Sequence, residues 1–174
     1  MTKQSPKPLG NNLDVAIITL GGTIDKIHDK MAEALGFNPE KPPAVGEIIS
    51  NGRCYFPRIH ALMQKDSLEM TDTDRDTIVE AVNAQPETGV ILTHGTSTMG
   101  DTARYIADKI HEKTVILTGA MRPHAFGGSD AALNMGGAII AAQTLPHGVY
   151  GVMNGRVFPA AQLHKNTENG RFDQ

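Results

Sequence analysis

The sequence predicts an α/β fold: a doubly wound, mostly parallel sheet flanked by helices. Three observations carry that reading. Short apolar runs rich in Val, Ile and Leu recur at Val15–Ile18, Val90–Leu92 and Val115–Leu117, with a weaker one inside Gly148–Met153; such runs are typical of strands buried on both faces. Segments with helical spacing stand between the later ones. The first three runs each break into a loop of Gly, Thr, Ser and polar residues. Strand, loop, helix, strand is the alternation that builds parallel sheets. The 174 residues match one domain, and a chain of roughly 150 residues already buries about two-thirds of its surface.

Taken in order, residues 1–12 are polar, with Pro6, Pro8 and Gly10, and read as a flexible tail; residues 13–174 read as one domain. Asp14–Leu20 is the first strand. Asp25–Pro43 is charged and then proline-rich, long for a connection, and is expected to form a lid, with a short helical turn at Met31–Leu35. Ile48–Ala61 is ambiguous, with a candidate strand at Cys54–Phe56. Thr71–Asp74 resembles a capping box and opens a helix with Ile78, Val79, Ala81 and Val82 on one face, stopped by Pro86. Gly89–Thr93 is a buried strand. Asp101 or Thr102 is expected to cap the next helix, which carries Ala103, Ile106, Ala107 and Ile110. Thr114–Thr118 is a strand. Ser129 is expected to cap a helix that is apolar nearly all round, where Gly136 and Gly137 permit close packing at a loss of helix propensity. Gly148–Met153 is the last strand, the segment from Phe158 to Gln174 turns polar, and no second domain is expected to follow.

Composition excludes several classes. Sixteen basic against nineteen acidic residues give a net charge of −3, and no basic stripe marks a nucleic-acid surface. Apolar runs such as Ala138–Ala142 are far too short to cross a bilayer. Lys3 and Lys7 are not followed by the apolar segment of a secretory leader. Cys54 is the only cysteine, so no internal disulfide forms. The expectation is a soluble cytoplasmic protein.

In a parallel sheet every strand-end loop emerges on the same edge, where open α/β folds place their ligands. The loops Gly21-Gly22-Thr23-Ile24, His94-Gly95-Thr96-Ser97-Thr98 and Gly119-Ala120-Met121-Arg122-Pro123 therefore face one crevice, and Asp66-Ser67 is placed to join them. The chemical inventory is threonine and serine hydroxyls, backbone N–H groups and Lys165 from the last segment. It holds no clustered carboxylates, no His/Cys metal spacing and no phosphate-binding glycine motif, so neither metal nor cofactor is expected. Hydroxyl, lysine and backbone donors suit acyl transfer. Taken singly, the residues have plainer readings: Thr23 as a turn residue, Ser67 as a helix cap, Lys165 as a solvated charge, Phe37 as a lid anchor. His94 beside Thr96 reads as a residue that orients the loop rather than as a base.

Together, these motifs resemble those of the bacterial-type L-asparaginases. Gly21-Gly22-Thr23-Ile24, Asp66-Ser67-Leu68-Glu69-Met70-Thr71, His94-Gly95-Thr96-Ser97-Thr98-Met99 and Gly119-Ala120-Met121-Arg122-Pro123 stand in the family's order and spacing. The resemblance spans nearly the whole chain, covers only the family's amino-terminal domain, and is nearest to short single-domain members. It implies a homo-oligomeric amidohydrolase that converts L-asparagine to aspartate and ammonia without a cofactor, with glutamine or another amide as alternative substrate and an inactive amino-acid-binding domain as the alternative outside catalysis. Carried over by position, Thr23 is the acyl-forming nucleophile, Thr96 the second threonine and Lys165 its partner. Such a lysine serves as base only with a pKa well below about 10.4. Ser67 holds the substrate's α-carboxylate, and Ser97, with the backbone of Gly22, Gly95 and Ala120, completes the substrate contacts. Arg122 supports its loop. Three departures stand out. Ser97 replaces an aspartate and loses a charge-assisted bond to the α-amino group. Phe37 replaces a lid tyrosine. The carboxylate that a neighbouring subunit's second domain donates has no counterpart here, with Glu33, Asp25 or a residue from another copy as candidate substitutes.

Overall fold

Seven consecutive buried residues, Val15–Gly21, form β1, around which the rest is assembled. It leads into a small hairpin, β2 (Ile27–Asp29) and β3 (Ala34–Gly36), then helix α1 (Val45–Asn51) and β4 (Arg58–Lys65). The pattern continues through α2 (Asp72–Asn83), β5 (Gly89–Thr93), α3 (Met99–Ala107), β6 (Thr114–Thr118), α4 (Ala131–Thr144) and β7 (Gly148–Met153). Short strands β8 (Arg156–Pro159), β9 (Lys165–Asn166) and β10 (Arg171–Phe172) follow. The structure, a computed structural model, describes residues 14–173; the tail expected over 1–12 lies outside them. Among the described residues no helix is long and apolar enough to cross a membrane.

Six strands form the main sheet in the order β4-β1-β5-β6-β7-β8. The first five run parallel and β8 returns antiparallel to β7. Alternate residues of each strand face opposite layers. Ile18, Leu20, Val90, Leu92, Val115 and Leu117 meet Ile78 and Val82 of α2 and Met99 and Ile106 of α3. Val15, Ile17, Ile91 and Ile116 meet Val45 and Ile48 of α1 and Met135 and Ala138 of α4. Helices thus cover both faces, as the doubly wound reading requires. The winding reverses at β1, which lies between β4 and β5, so the topological switch point falls between the ends of β1 and β5.

Local expectations fared unevenly. The capping box at Thr71 and Asp74 is present in full. The helical turn expected at Met31–Leu35 is instead the β2–β3 hairpin, because Asp29 Oδ1 accepts from Met31 N at 2.8 Å and Ala32 N at 3.2 Å and closes a side-chain turn. The strand expected at Cys54–Phe56 is the exit from α1, with Cys54 N bonded to Ile49 O at 2.8 Å. Pairing starts only beyond Pro57, at Arg58, since proline has no N–H to give a ladder. Helix α3 starts earlier than expected, with Thr98 at its N-cap rather than Asp101 or Thr102. At α4 the N-cap is Asp130, although Ser129 Oγ does accept from Ala131 N at 3.1 Å. The last segment is not simply polar: Phe158, Leu163 and Phe172 are fully buried.

Candidate active site

The strand ends at the switch point touch backbone to backbone. Gly21 and Gly22 adopt positive φ of 94° and 84°, a region that side chains rarely enter. A Cβ on Gly22 would run into the backbone of Gly95, and one on Gly95 would lie 2.5 Å from Ser67 Oγ. A Cβ on Gly119 would run into the His94 carbonyl. The loops after β1, β4, β5 and β6 are therefore in contact at one point. Thr23 and Thr96 each follow directly on one of a touching pair, Gly22 and Gly95.

Thr96 is buried, and Lys165 Nζ donates to its Oγ1 at 2.9 Å. The last segment carries Lys165 there by packing. Leu163 is buried against α3 and β7, where Gly100 leaves room for its carbonyl and Gly151 for its side chain. Lys165 and Asn166 pair with Arg171 and Phe172 in a hairpin. Phe172 anchors that hairpin beside Phe158, ring centroids 6.4 Å apart, and its N–H bonds Asn154 Oδ1 at 2.9 Å.

His94 is fully buried, and burial pushes its pKa down to about 4, with Arg75 acting in the same direction against the Gly95 carbonyl. Arg75 Nε donates to Thr102 Oγ1 at 3.1 Å, which leaves the Thr102 proton for His94 Nε2 at 2.8 Å. Nδ1 then carries the ring proton and donates to the Gly95 carbonyl at 2.8 Å. The ring is neutral, has both nitrogens occupied, and fixes the Gly95–Thr96 turn.

Ser67 is buried at the start of a single 3₁₀ turn, Ser67–Glu69. Thr98 Oγ1 donates to its carbonyl at 2.7 Å, tying it to the β5 loop. Asp66 accepts from Leu68 N at 3.0 Å and pairs with Lys26; these bonds hold its carboxyl below the usual range, the lysine contributing most. Asp25 is raised by burial, and its Oδ1 accepts from Ala44 N at 2.8 Å, closing the base of the lid. Glu33 sits in the exposed turn of the lid hairpin with φ 51°. The Ala120 side chain is core, so only its backbone is available. Ser97 is exposed. Phe37 lies under Lys26, its centroid 5.6 Å from Nζ.

The whole described chain, residues 14–173, matches the family model described as Asparaginase, N-terminal. The chain belongs to the asparaginase family. A glutaminase-asparaginase of Acinetobacter glutaminasificans is 30% identical over 166 residues, 87% of this chain and 49% of the relative. A glutamyl-tRNA(Gln) amidotransferase chain of Methanococcus vannielii is 40% identical over 82 residues, 45% of this chain and 19% of the relative. Among solved structures, a probable cytoplasmic L-asparaginase from Campylobacter jejuni superposes with a TM-score of 0.74 at 25% identity, over 87% of this chain and 49% of that one. The chain spans about half the length of the first of these relatives.

In this asparaginase-family chain, then, the expected residues gather at one edge. Thr96 and Lys165 bond directly, while Gly22, Gly95 and Ser67 form the backbone contact that carries Thr23. Ser97, with Thr96 and Lys165, lines a cavity of about 340 Å³ that the Asp101–Arg104 pair and His164 line as well. Sequence reasoning missed the residues that hold the Ala120 loop. Asp130 accepts from Met121 N at 3.0 Å and Arg122 N at 3.1 Å, while Asn134 Nδ2 donates to the Gly119 carbonyl at 3.0 Å. Their signal was an Asp/Asn pair four apart at the start of an otherwise apolar helix. Lys26 was missed as well, because a lysine in a charged lid has no pattern of its own.

Proposed function

We propose that this chain hydrolyses the side-chain amide of L-asparagine to aspartate and ammonia. The observation that carries the reading is the 2.9 Å bond from Lys165 to Thr96 at the switch point, among the loops that the family motifs occupy. Thr23 Oγ attacks the amide carbon and forms an ester, its proton passing through the Thr96–Lys165 pair to the departing nitrogen. Water then cleaves the ester and returns the proton to Thr23. Ser67 receives the α-carboxylate. Ser97 meets the α-amino group with a neutral hydroxyl, and the backbone of Gly22, Gly95 and Ala120 surrounds the reacting end, where N–H groups stabilise the developing oxyanion. The setting is cytoplasmic. The working form is a homo-oligomer, associating through the outer face of α4, where Leu133 and Ile140 are 65% and 61% exposed and the helix carries no ionisable side chain past its N-cap.

A second reading, glutamine or an amide on a larger molecule, is favoured by the exposed neutral Ser97 and by the two sequence relatives above, a glutaminase-asparaginase and a glutamyl-tRNA(Gln) amidotransferase chain. The test is ammonia release from L-asparagine and L-glutamine, with Thr23→Ala as control. Release from asparagine that vanishes in Thr23→Ala supports the reading. Release mainly from glutamine transfers it to the second. Binding without release makes the chain a sensor, and neither binding nor release directs the search to larger amides.

A further inference from the structure

Among the described residues, Lys26 is the one cation that touches the three parts of the site at once. Its backbone N–H closes the Thr23 turn on Thr23 O at 3.1 Å. Its ammonium pairs with Asp66, the residue before Ser67, and lies 5.6 Å from the Phe37 ring on the lid. Its side chain is only 17% exposed, so solvent screens it poorly. Asp66 is fixed in turn: Leu68 N and the ammonium occupy its two carboxylate oxygens, and its carbonyl accepts from Glu69 N at 3.0 Å. The Asp66 charge thus cannot swing away from the Ser67 turn.

We propose that Lys26 is a positioning and specificity-determining residue that cancels the Asp66 charge, so that the Ser67 turn accepts an amide substrate bearing a free carboxylate. This rests on the reading above, in which Ser67 receives the α-carboxylate. Two carboxylates one residue apart repel unless a cation stands between them. At short range in a half-buried setting that repulsion is large enough to govern affinity. Lys26 pairs directly with the Asp66 carboxylate, and its position 5.6 Å from the Phe37 ring ties that pairing to the 25–43 connection. Asparagine, with its carboxylate, is favoured, and an amide whose carboxylate is blocked gains nothing from Lys26.

The experiment compares Lys26→Met, Asp66→Asn and the double variant, reading kcat and KM for L-asparagine and for its carboxyl-blocked form, L-asparaginamide. Lys26→Met is expected to raise KM for asparagine roughly tenfold, with kcat within about twofold, and to leave KM for the blocked amide unchanged. Asp66→Asn alone is expected to lower KM for asparagine or leave it as it is. Adding it to Lys26→Met restores KM, and the defect of the single variant shrinks in high salt. If the pair is only a structural clamp, Asp66→Asn damages the enzyme as much as Lys26→Met and the double variant shows no rescue; that result overturns the proposal. An unmodified chain that releases no ammonia fails the functional reading instead, and the charge argument is then decided by calorimetric binding of L-aspartate to the same variants. Equal affinity across them, or no binding to any, overturns it.

Discussion

At the strand ends Gly22 and Gly119 pack on the backbone of the β5 loop, whereas the connection expected to form a lid leaves Met31 94% and Leu35 47% exposed. The first region is held by these backbone contacts and by hydrogen-bonded side chains set against them, His94 on Gly95 and Asn134 on Gly119. The second is held by three side chains, Asp25 on Ala44, Lys26 on Asp66 and Phe37, and Asp29 on its own turn. Under the proposed function, placement of the reacting groups falls to the first region and admission of substrate to the second.

The sharpest break of this contrast is at the rigid end. Lys165→Met is expected to lower kcat by about a thousandfold with little change in melting temperature, since only a surface hairpin carries the side chain. Steady-state kinetics beside a thermal melt reads both.

Acid reaches the rigid region through His94. Its folded pKa of about 4 lies below the ordinary 6.5, so between those values the unfolded chain binds the extra proton. Stability is therefore full above pH 6.5 and falls as pH drops toward 4, by up to about 3 kcal/mol for this group. Denaturant melts across that window show the loss, and His94→Gln flattens it. Asp74, held at about 2 by Lys65 and Thr71, contributes in a separate window below pH 4.

Gly95→Ala places a methyl against Ser67 and is expected to reduce kcat/KM about a hundredfold while costing about 1–3 kcal/mol by overpacking. In the lid, Asp25→Ala removes the acceptor of Ala44 N–H and is expected to cost about 1 kcal/mol, with KM rising more than kcat falls. Smallest is Met31→Gln, within about 0.5 kcal/mol and without effect on turnover. A lid substitution at Met31 that matched Gly95→Ala in damage would erase the distinction between the regions.

The same contrast explains what was legible. β1, β5 and β6 announce themselves because both faces are buried, so each carries an unbroken apolar run, Val15–Ile18, Val90–Leu92 and Val115–Leu117. The Thr71–Asp74 box is a local signal, readable without tertiary context. The lid hairpin is exposed on nearly every side chain, so burial leaves no period in it, and the Asp29 turn that decides its form resembles a helix start. β4 lies at a sheet edge with five of its eight residues exposed, and its sequence Arg58–Lys65 alternates too weakly to mark a strand. Of the site, the motif loops were readable because the family order fixes them. The supports were less so: the Asp130/Asn134 pair left only its four-residue spacing as a signal, and Thr102 and Lys26 meet His94 and Asp66 with no spacing that links them.

Thr96 and Lys165 meet across 69 positions of chain. At about 5–20 residues per second, a ribosome that has already made Thr96 needs roughly 3 to 14 seconds more to reach the lysine. Throughout that interval the β1 and β5 loops exist without the lysine that bonds Thr96. The contact forms only once the segment around Leu163 has emerged and docked between α3 and β7.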